Sequence, residues 1–239
     1  MKEVQLRSEM DVRLVQAQAS DASVVWAARI STGKGASNRH EGAELPDADK
    51  GLIGYLMRNR HGTPFEHSMM TFRVHAPVFV MREMQRHRTL SFNEESGRYR
   101  ELEPVFWVPS AERKLVQAGK PGAYTFGEGT GTQHIRVHLR LRRAYEEAWD
   151  CYQDMLENGI AREVARACLP VGIYSSQYVT CNARSLMSFL SLRTEYPLAA
   201  YPSHPQAEIR EVAEKMHAKW AQLMPVTSQA FQDAGFMAP

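Results

Sequence analysis

The chain has 239 residues, 44% hydrophobic and 23% charged, enough apolar surface for a sizeable core within one domain spanning residues 1–239. Its 29 Lys and Arg against 27 Asp and Glu leave a formal net charge of +2, too near neutral for a general nucleic-acid binder with a dominant basic face. No apolar run reaches the roughly 18 residues that cross a bilayer, and the opening "MKEVQLRSEM" lacks an apolar signal core, so a cytoplasmic, membrane-free protein is expected. Cys151, Cys168 and Cys181 are odd in number and form no C-x-x-C pair, which excludes a disulfide framework and a zinc knuckle. They are expected as buried free thiols.

In chain order, "EVQLRSEMDVRLVQA" alternates in places as strands do, and Ser20 or Asp21 is placed to cap a short helix through "ASVVWAARIS". Polar, glycine-bearing "STGKGASNRHEGAELPDADK" predicts a loop before a helix through "GLIGYLMRNR". In "SMMTFRVHAP", Met70, Phe72, Val74 and Ala76 share one face and Met69, Thr71, Arg73 and His75 the other, the pattern of a half-buried strand. Pro77 suits the first turn of a helix through "VFVMREMQRHR", with "TLSFNEESG" an ordered loop after it. "PGAYTFGEGTGTQ" predicts a second loop, and a long helix runs from Ile135 to about Asn158, closed by Gly159. "AREVARACL" predicts a helix stopped by Pro170, and "ARSLMSFLSLR" one capped by Asn182. A last amphipathic helix runs from about Gln206 to Met224, where Pro225 stops it. Helices dominate and do not alternate with strands, so the expected class is α+β, with a small, largely antiparallel sheet flanked by long helices.

Chemistry-bearing residues cluster in "RHRTLSFNEESGRYR", residues 86–100. On a helix, successive residues point about 100° apart, so Arg86, His87 and Arg88 fan out and cannot all grip one small anion. A helix C-terminus favours their charge but offers an anion no free N–H groups. The following loop offers more: Gly97 permits close backbone approach, Ser96 adds a hydroxyl, and Arg98 a planar guanidinium. Glu83, three residues before Arg86 and four before His87, can orient either. The competing reading is a solvated helix end.

In "NARSLMSFLSLR", Leu186, Phe189 and Leu190 form an apolar stripe that Arg193 continues at i+7. A guanidinium there requires a partner or a ligand, unless it snorkels at the helix end. Arg184 and Ser188 lie on the other side. Arg162 and Arg166 are a like-charge i,i+4 pair with Glu163 between them as a counter-charge, and "HGTPFEH" gathers His61, Thr63, Glu66 and His67 on a turn. "GEGTGTQ" and "STGKGAS" lack the lysine and the preceding strand of a phosphate loop. His134 and His138 share a helix face without an H-E-x-x-H glutamate, so no metal site is expected.

"RHRTLSFNEESGRY", with Arg-His-Arg, seven intervening residues and Ser, resembles the signature of the flavin-dependent thymidylate synthases. "HGTPFEH", "REVARACLP" and "NARSLMSFLSLR" resemble the family's other blocks and come in its order, so the similarity runs from "AARIS" at residues 27–31 through the penultimate helix. The resemblance implies reductive methylation of dUMP to dTMP, with methylenetetrahydrofolate as carbon donor, FAD as redox carrier and NADPH as reductant, in a homotetramer whose sites several subunits assemble. It places Thr63, Arg86, His87, Arg88, Glu94, Asn182, Arg184 and Ser188 around FAD. Around the nucleotide it places Glu83, Met84, Gln85, Arg86, Glu94, Glu95, Ser96, Gly97, Arg98, Arg166 and Arg193, with His61 near the flavin or folate. Arg193 is implied as the catalytic group that faces the uracil, and no cysteine nucleophile is required. Ser188 stands where relatives have Asn or His, and "PGAYTFGEGTGTQ" departs from the corresponding family loops. Two alternatives are a folate- and flavin-dependent methylation of uridine in RNA, and a nucleic-acid module built on Arg82, Arg86, Arg88, Arg98 and Arg100.

Overall fold

The computed structural model describes residues 2–33, 45–120 and 123–239. Most of the loop expected before the second helix lies outside them. The fold is α+β. Its elements are β1 (Gln5–Arg7), β2 (Asp11–Gln18), α1 (Asp21–Arg29), α2 (Asp47–Arg58), β3 (Met69–Pro77), α3 (Val78–Met84), β4 (Ser91–Glu94) and β5 (Val105–Trp107). There follow β6 (Val116–Lys120), β7 (Ala123–Gly127), α4 (Gly131–Glu157), α5 (Arg162–Ala165), β8 (Tyr174–Cys181), α6 (Ala183–Arg193), α7 (Ala207–Leu223) and α8 (Pro225–Asp233). A four-stranded sheet has the order β2-β3-β8-β4; β1 pairs with β5 in parallel, and β6 with β7 antiparallel. No helix among the described residues is long and apolar enough to cross a membrane.

Two compact units are present, and the larger comprises residues 11–74, 83–93 and 177–239. The alternation in β3 is as expected: Met70, Phe72 and Val74 are fully buried while Met69 is exposed. Leu186, Phe189 and Leu190 of α6 are buried likewise, as are Ile209, Val212, Met216 and Trp220 of α7. Ser20 caps α1 by accepting from Ser23 N, and Asn182 caps α6 by accepting from Ser185 N at 2.8 Å. Helix α2 starts at Asp47, earlier than expected, because Asp47 and Asp49 suit the positive end of its dipole. Asp49 is also buried in a pair with Arg29.

Helix α7 ends at Leu223, ahead of Pro225 as expected, but it is not the last helix, because Pro225 opens α8. At N1 a proline lacks only a donor that the helix leaves unpaired. The neighbouring donors go to Asp21, whose buried carboxylate accepts from Val226 N at 3.0 Å, Thr227 N at 2.8 Å and Thr227 Oγ1 at 2.6 Å.

The smaller unit comprises residues up to Met10, 75–82 and 94–176. Its core is Phe106, Val108, Tyr145, Trp149, Tyr152, Ala165 and Ile173. Helix α4 begins with a reciprocal capping box between Thr130 and Gln133 and ends at Asn158, followed by Gly159 at φ +77°. Tyr145 stacks on Phe106 with ring centroids 4.6 Å apart and donates to Trp107 O at 2.9 Å. Burial pushes its hydroxyl up to about 12.

Four further expectations need correction. "PGAYTFGEGTGTQ" is not a loop throughout, since Ala123–Gly127 pairs with Val116–Lys120. "TLSFNEESG" contributes Ser91–Glu94 to the sheet. "AREVARACL" is one turn of α5 followed by a 3-10 turn, Arg166–Cys168. Of the three thiols only Cys181 is buried; Cys168 is half-buried and Cys151 exposed.

Replacing Asp21 with Ala leaves three donors at the start of α8 without their acceptor. The expected cost is about 2 kcal/mol of unfolding free energy. Denaturant unfolding of Asp21→Ala against the unmodified chain measures it.

Candidate active site

The first cluster, in the larger unit, forms where α3 ends. Met84 is buried, but the positions a turn further on are His87 and Arg88, so apolar spacing no longer supports a helix. The chain leaves helical geometry at Gln85, and His87 N donates to Met84 O at 2.9 Å and Leu90 N to His87 O at 3.0 Å. The cationic triplet therefore sits on turns, and the helical fanning argument does not apply. These turns bury Leu90 and direct His87 inward, leaving Arg86 and Arg88 exposed.

Arg193, the last residue of α6, meets His87 and Glu83. Its Nε donates to His87 Nε2 at 2.9 Å and its Nη1 to Glu83 Oε1 at 2.5 Å. The side chains of Arg193 and Glu83 are 21% and 25% exposed, so the pair is largely withdrawn from water. The His87 ring stands edge-on to Phe189, centroids 4.9 Å apart at 83°. Burial, and then the adjacent guanidinium, lower the imidazole from 6.5 to about 4. The ring is therefore neutral at pH 7, with Nε2 as acceptor and the proton on Nδ1. Arg193 thus does not snorkel. Against Met84, Gln177 is buried; its Nε2 donates to Met84 Sδ at 3.5 Å, while its Oε1 has no partner among the described residues.

A second cluster in the same unit surrounds Arg184. Its Nη1 donates to Glu66 Oε1 at 2.5 Å and its Nε to the Pro239 carbonyl at 2.9 Å. The guanidinium lies against Gly62 so closely that a Cβ there would come within 2.4 Å of Cζ. Thr63 begins the 3-10 turn Thr63–Glu66, exposed, and His61 precedes it with its ring 5.9 Å from Tyr55. Ser188 Oγ donates back to Arg184 O at 3.1 Å, so its only proton is already engaged. Glu66 also lines a cavity of about 570 Å³ with Ser20, Ser23, Trp26 and His67. Trp26 Nε1 is buried without an acceptor among the described residues.

The third cluster belongs to the smaller unit and begins at Glu94, the last residue of β4. Glu95 N donates to Ser176 O at 2.8 Å, after which the chain turns on Ser96, whose carbonyl accepts from Tyr99 N at 3.1 Å and whose Oγ accepts from Arg98 N at 3.3 Å. A Cβ on Gly97 would lie 3.2 Å from Arg166 Cδ, so the missing side chain is what lets Arg166 pack there. Arg98 Nε donates to Glu163 Oε2 at 2.8 Å on the surface. Glu163 therefore serves Arg98 and not the Arg162 and Arg166 pair for which the sequence suggested it.

The predicted residues thus gather as Glu83 to Arg88 with Arg193, as His61 and Thr63 with Asn182, Arg184 and Ser188, and as Glu94 to Arg98 with Arg166. Sequence reasoning missed the direct His87–Arg193 contact and the cavity-lining Trp26, neither of which has a signal in local spacing.

In class, the chain is an α+β protein with the fold of a solved nucleotide methylase: the UMP/dUMP methylase PolB from Streptomyces cacaoi, bound with 5-Br dUMP, matches at TM-score 0.91 and 54% identity, covering 99% of this chain and 100% of that one. The family described as "Thymidylate synthase complementing protein" matches residues 13–226. The flavin-dependent thymidylate synthase of Streptomyces coelicolor is 57% identical over 99% of this chain and 96% of its own length. That of Tropheryma whipplei strain TW08/27 is 51% identical over 97% and 96%. The chain belongs to the thymidylate synthase complementing protein family and is accordingly an enzyme.

The neutral His87 makes stability depend on pH. Its folded pKa, about 4, lies below the unfolded value of 6.5, so between these limits the unfolded chain binds more protons and stability falls as pH falls. Buried His217, also lowered, adds to the same slope. Denaturant midpoints at pH 7 and 4.5 should show the loss, and His87→Gln should reduce it.

Proposed function

We propose that this enzyme methylates dUMP to dTMP reductively, taking its carbon from methylenetetrahydrofolate with FAD as redox carrier and NADPH as reductant, in a homotetramer. The observation that carries the reading is Arg193, half-buried and held at Nε and Nη1, with Nη2 unpartnered among the described residues. Such a preorganised guanidinium is suited to a pyrimidine. It stabilises the negative charge that develops on the ring as N3 ionises, without reorganising when the charge appears.

The Ser96 hydroxyl, Arg98 and Arg166 hold the nucleotide phosphate. Arg166 is exposed and Gly97 gives it room; Arg98 is kept in place by Glu163 until a ligand arrives. In a tetramer whose sites several subunits assemble, each cluster supplies part of a site.

The residues also suit FAD. The cavity beside the Glu66–Arg184 pair is lined by Ser20, Ser23 and Ser68, whose side chains carry hydroxyls. Thr63, Asn182 and Arg184 hold the group from this side, with Arg86, His87, Arg88 and Glu94 completing its surroundings and His61 near the flavin or folate. Ser188 contributes through Arg184, whose backbone it braces. When bound, FAD supplies hydride chemistry that side chains lack.

Neither Cys168 nor Cys181 acts as nucleophile. Burial pushes Cys181 up to about 12 and Cys168 to about 11, so neither is a thiolate at neutral pH.

A second reading concerns the sugar. PolB is described as a UMP/dUMP methylase and was solved with 5-Br UMP as well as 5-Br dUMP, and this chain is 52–54% identical to it. UMP is therefore a competing substrate of this chain. The nucleic-acid reading loses support because the carboxylates of Glu95, Glu103 and Glu163 stand beside Arg98 and Arg100 and offset the positive charge that a polyanion's long-range attraction needs.

Purified protein should be yellow and should release tritium from C5-labelled dUMP when NADPH and the folate are added; parallel assays with UMP and RNA decide the substrate. Protein that stays colourless after incubation with FAD would refute the reading. Arg193→Ala should still fold, though less stably because Glu83 loses its partner, and lose turnover by about 10²- to 10³-fold. Gly62→Ala should displace the Arg184 guanidinium and weaken FAD binding by about tenfold, roughly 1.4 kcal/mol, measured by flavin fluorescence titration.

A further inference from the structure

We infer that His87 is a positioning residue for Arg193: its neutral ring accepts the Nε–H and thereby fixes which edge of the guanidinium meets the pyrimidine. The inference rests on the role proposed for Arg193 and goes beyond it, since resemblance gives His87 only a place near the flavin.

A guanidinium has five N–H groups in one plane. In Arg193, His87 takes one from Nε and Glu83 one from Nη1. The two acceptors grip different nitrogens, so the plane cannot rotate about the side-chain axis without losing one of them. Three N–H groups remain, two on Nη2 and one on Nη1. These form the outward edge, which can donate in parallel to a carbonyl oxygen and an ionised ring nitrogen.

His87 is itself held. Its ring meets Phe189 edge-on at 4.9 Å, and Phe189 is fully buried. Phe189 lies four residues before Arg193 on α6, so one helix face supports both the arginine and the ring that orients it. The charged groups around the imidazole are Arg193 against its Nε2, Glu83 across that guanidinium, and exposed Arg86 and Arg88 on its own turn. Burial of the ring, and then the Arg193 charge, disfavour an imidazolium. A protonated ring would also have no lone pair for Arg193. Glu83 alone would then hold the guanidinium, which could pivot about that single contact.

Flavin content, tritium release and pH dependence are to be measured for the FAD-loaded wild type, His87→Gln, His87→Ala and Arg193→Ala, with thermal unfolding as a folding control. The amide oxygen of His87→Gln can still accept from Nε, whereas His87→Ala cannot. Assayed at saturating FAD, since His87 also stands among the groups proposed around the flavin, His87→Ala is expected to keep its KM for dUMP within about threefold, while kcat falls about 100-fold, the size of effect that misplacing a catalytic group produces. His87→Gln should recover at least about tenfold of that loss. In the wild type, kcat should stay level down to about pH 5 and fall below it.

A His87→Ala rate fully restored by saturating FAD would make His87 a flavin ligand only and overturn the inference. So would equal rates for the Gln and Ala variants, or a kcat already halved near pH 6.5. Should His87→Ala fail to fold, the Gln variant and the wild-type pH profile decide between the same outcomes. An active wild type with inactive Arg193→Ala and fully active His87→Ala refutes this inference alone. A wild type that releases no tritium refutes the proposed function, and this inference with it.

Discussion

A cation on the core-facing stripe of a helix is stable only if acceptors replace the water it gives up, and α6 brings Arg193 to that position directly after Leu186, Phe189 and Leu190. Glu83 provides the compensating charge and His87 the second acceptor. Both come from the segment that ends α3, so the end of that helix is part of the same solution. Continued helix would carry His87 on around the axis; the turns after Met84 let it face α6 while Leu90 anchors the chain in the core. The imidazole in turn must stay neutral, and the arginine it serves helps keep it so.

Two other arginines are accommodated by the absence of a side chain opposite them. Gly62 lies so close to Arg184 that a Cβ would stand 2.4 Å from the guanidinium, which would have to shift. At Gly97 the corresponding contact with Arg166 is 3.2 Å, and a methylene can yield by a few tenths of an ångström. Arg184 is held on its other sides by Glu66 and the Pro239 oxygen, so the shift would disturb both bonds. Arg166 is exposed and has only its stem confined.

What was legible in the sequence was what is local. The Ser20 and Asn182 caps, the alternation of β3 and the glycine stop of α4 each depend on neighbours within a few residues. The β6–β7 pair escaped notice because Val116 to Lys120 and Tyr124 to Gly127 are exposed throughout, which leaves no period-two signal to read. Pro225 was ambiguous in principle, since the same residue that blocks a helix interior is favoured at N1; Asp21, some two hundred positions away, decides it. The site divides in the same way. Its members stood out as blocks, and Arg193 stood out because it interrupts a hydrophobic pattern. Its partner His87 is 106 residues away, a contact that only the fold creates.

Net charge is a poor guide to where this chain can bind an anion. Among the arginines, Arg98, Arg100 and Arg210 already have carboxylate partners at the surface. Such exposed pairs contribute about 0–1 kcal/mol, so they hold a side chain in place without committing it. Glu163 can therefore yield Arg98 to a phosphate at little cost, because the incoming dianion offers the same guanidinium a stronger acceptor. The Glu83–Arg193 pair differs: both side chains are about three-quarters withdrawn from water, and removing either partner would leave a poorly solvated charge. One chain thus carries two kinds of arginine pair. Under the proposed function, the exposed pair would exchange its carboxylate for a ligand, while the half-buried pair would keep its carboxylate and offer the ligand only its remaining edge.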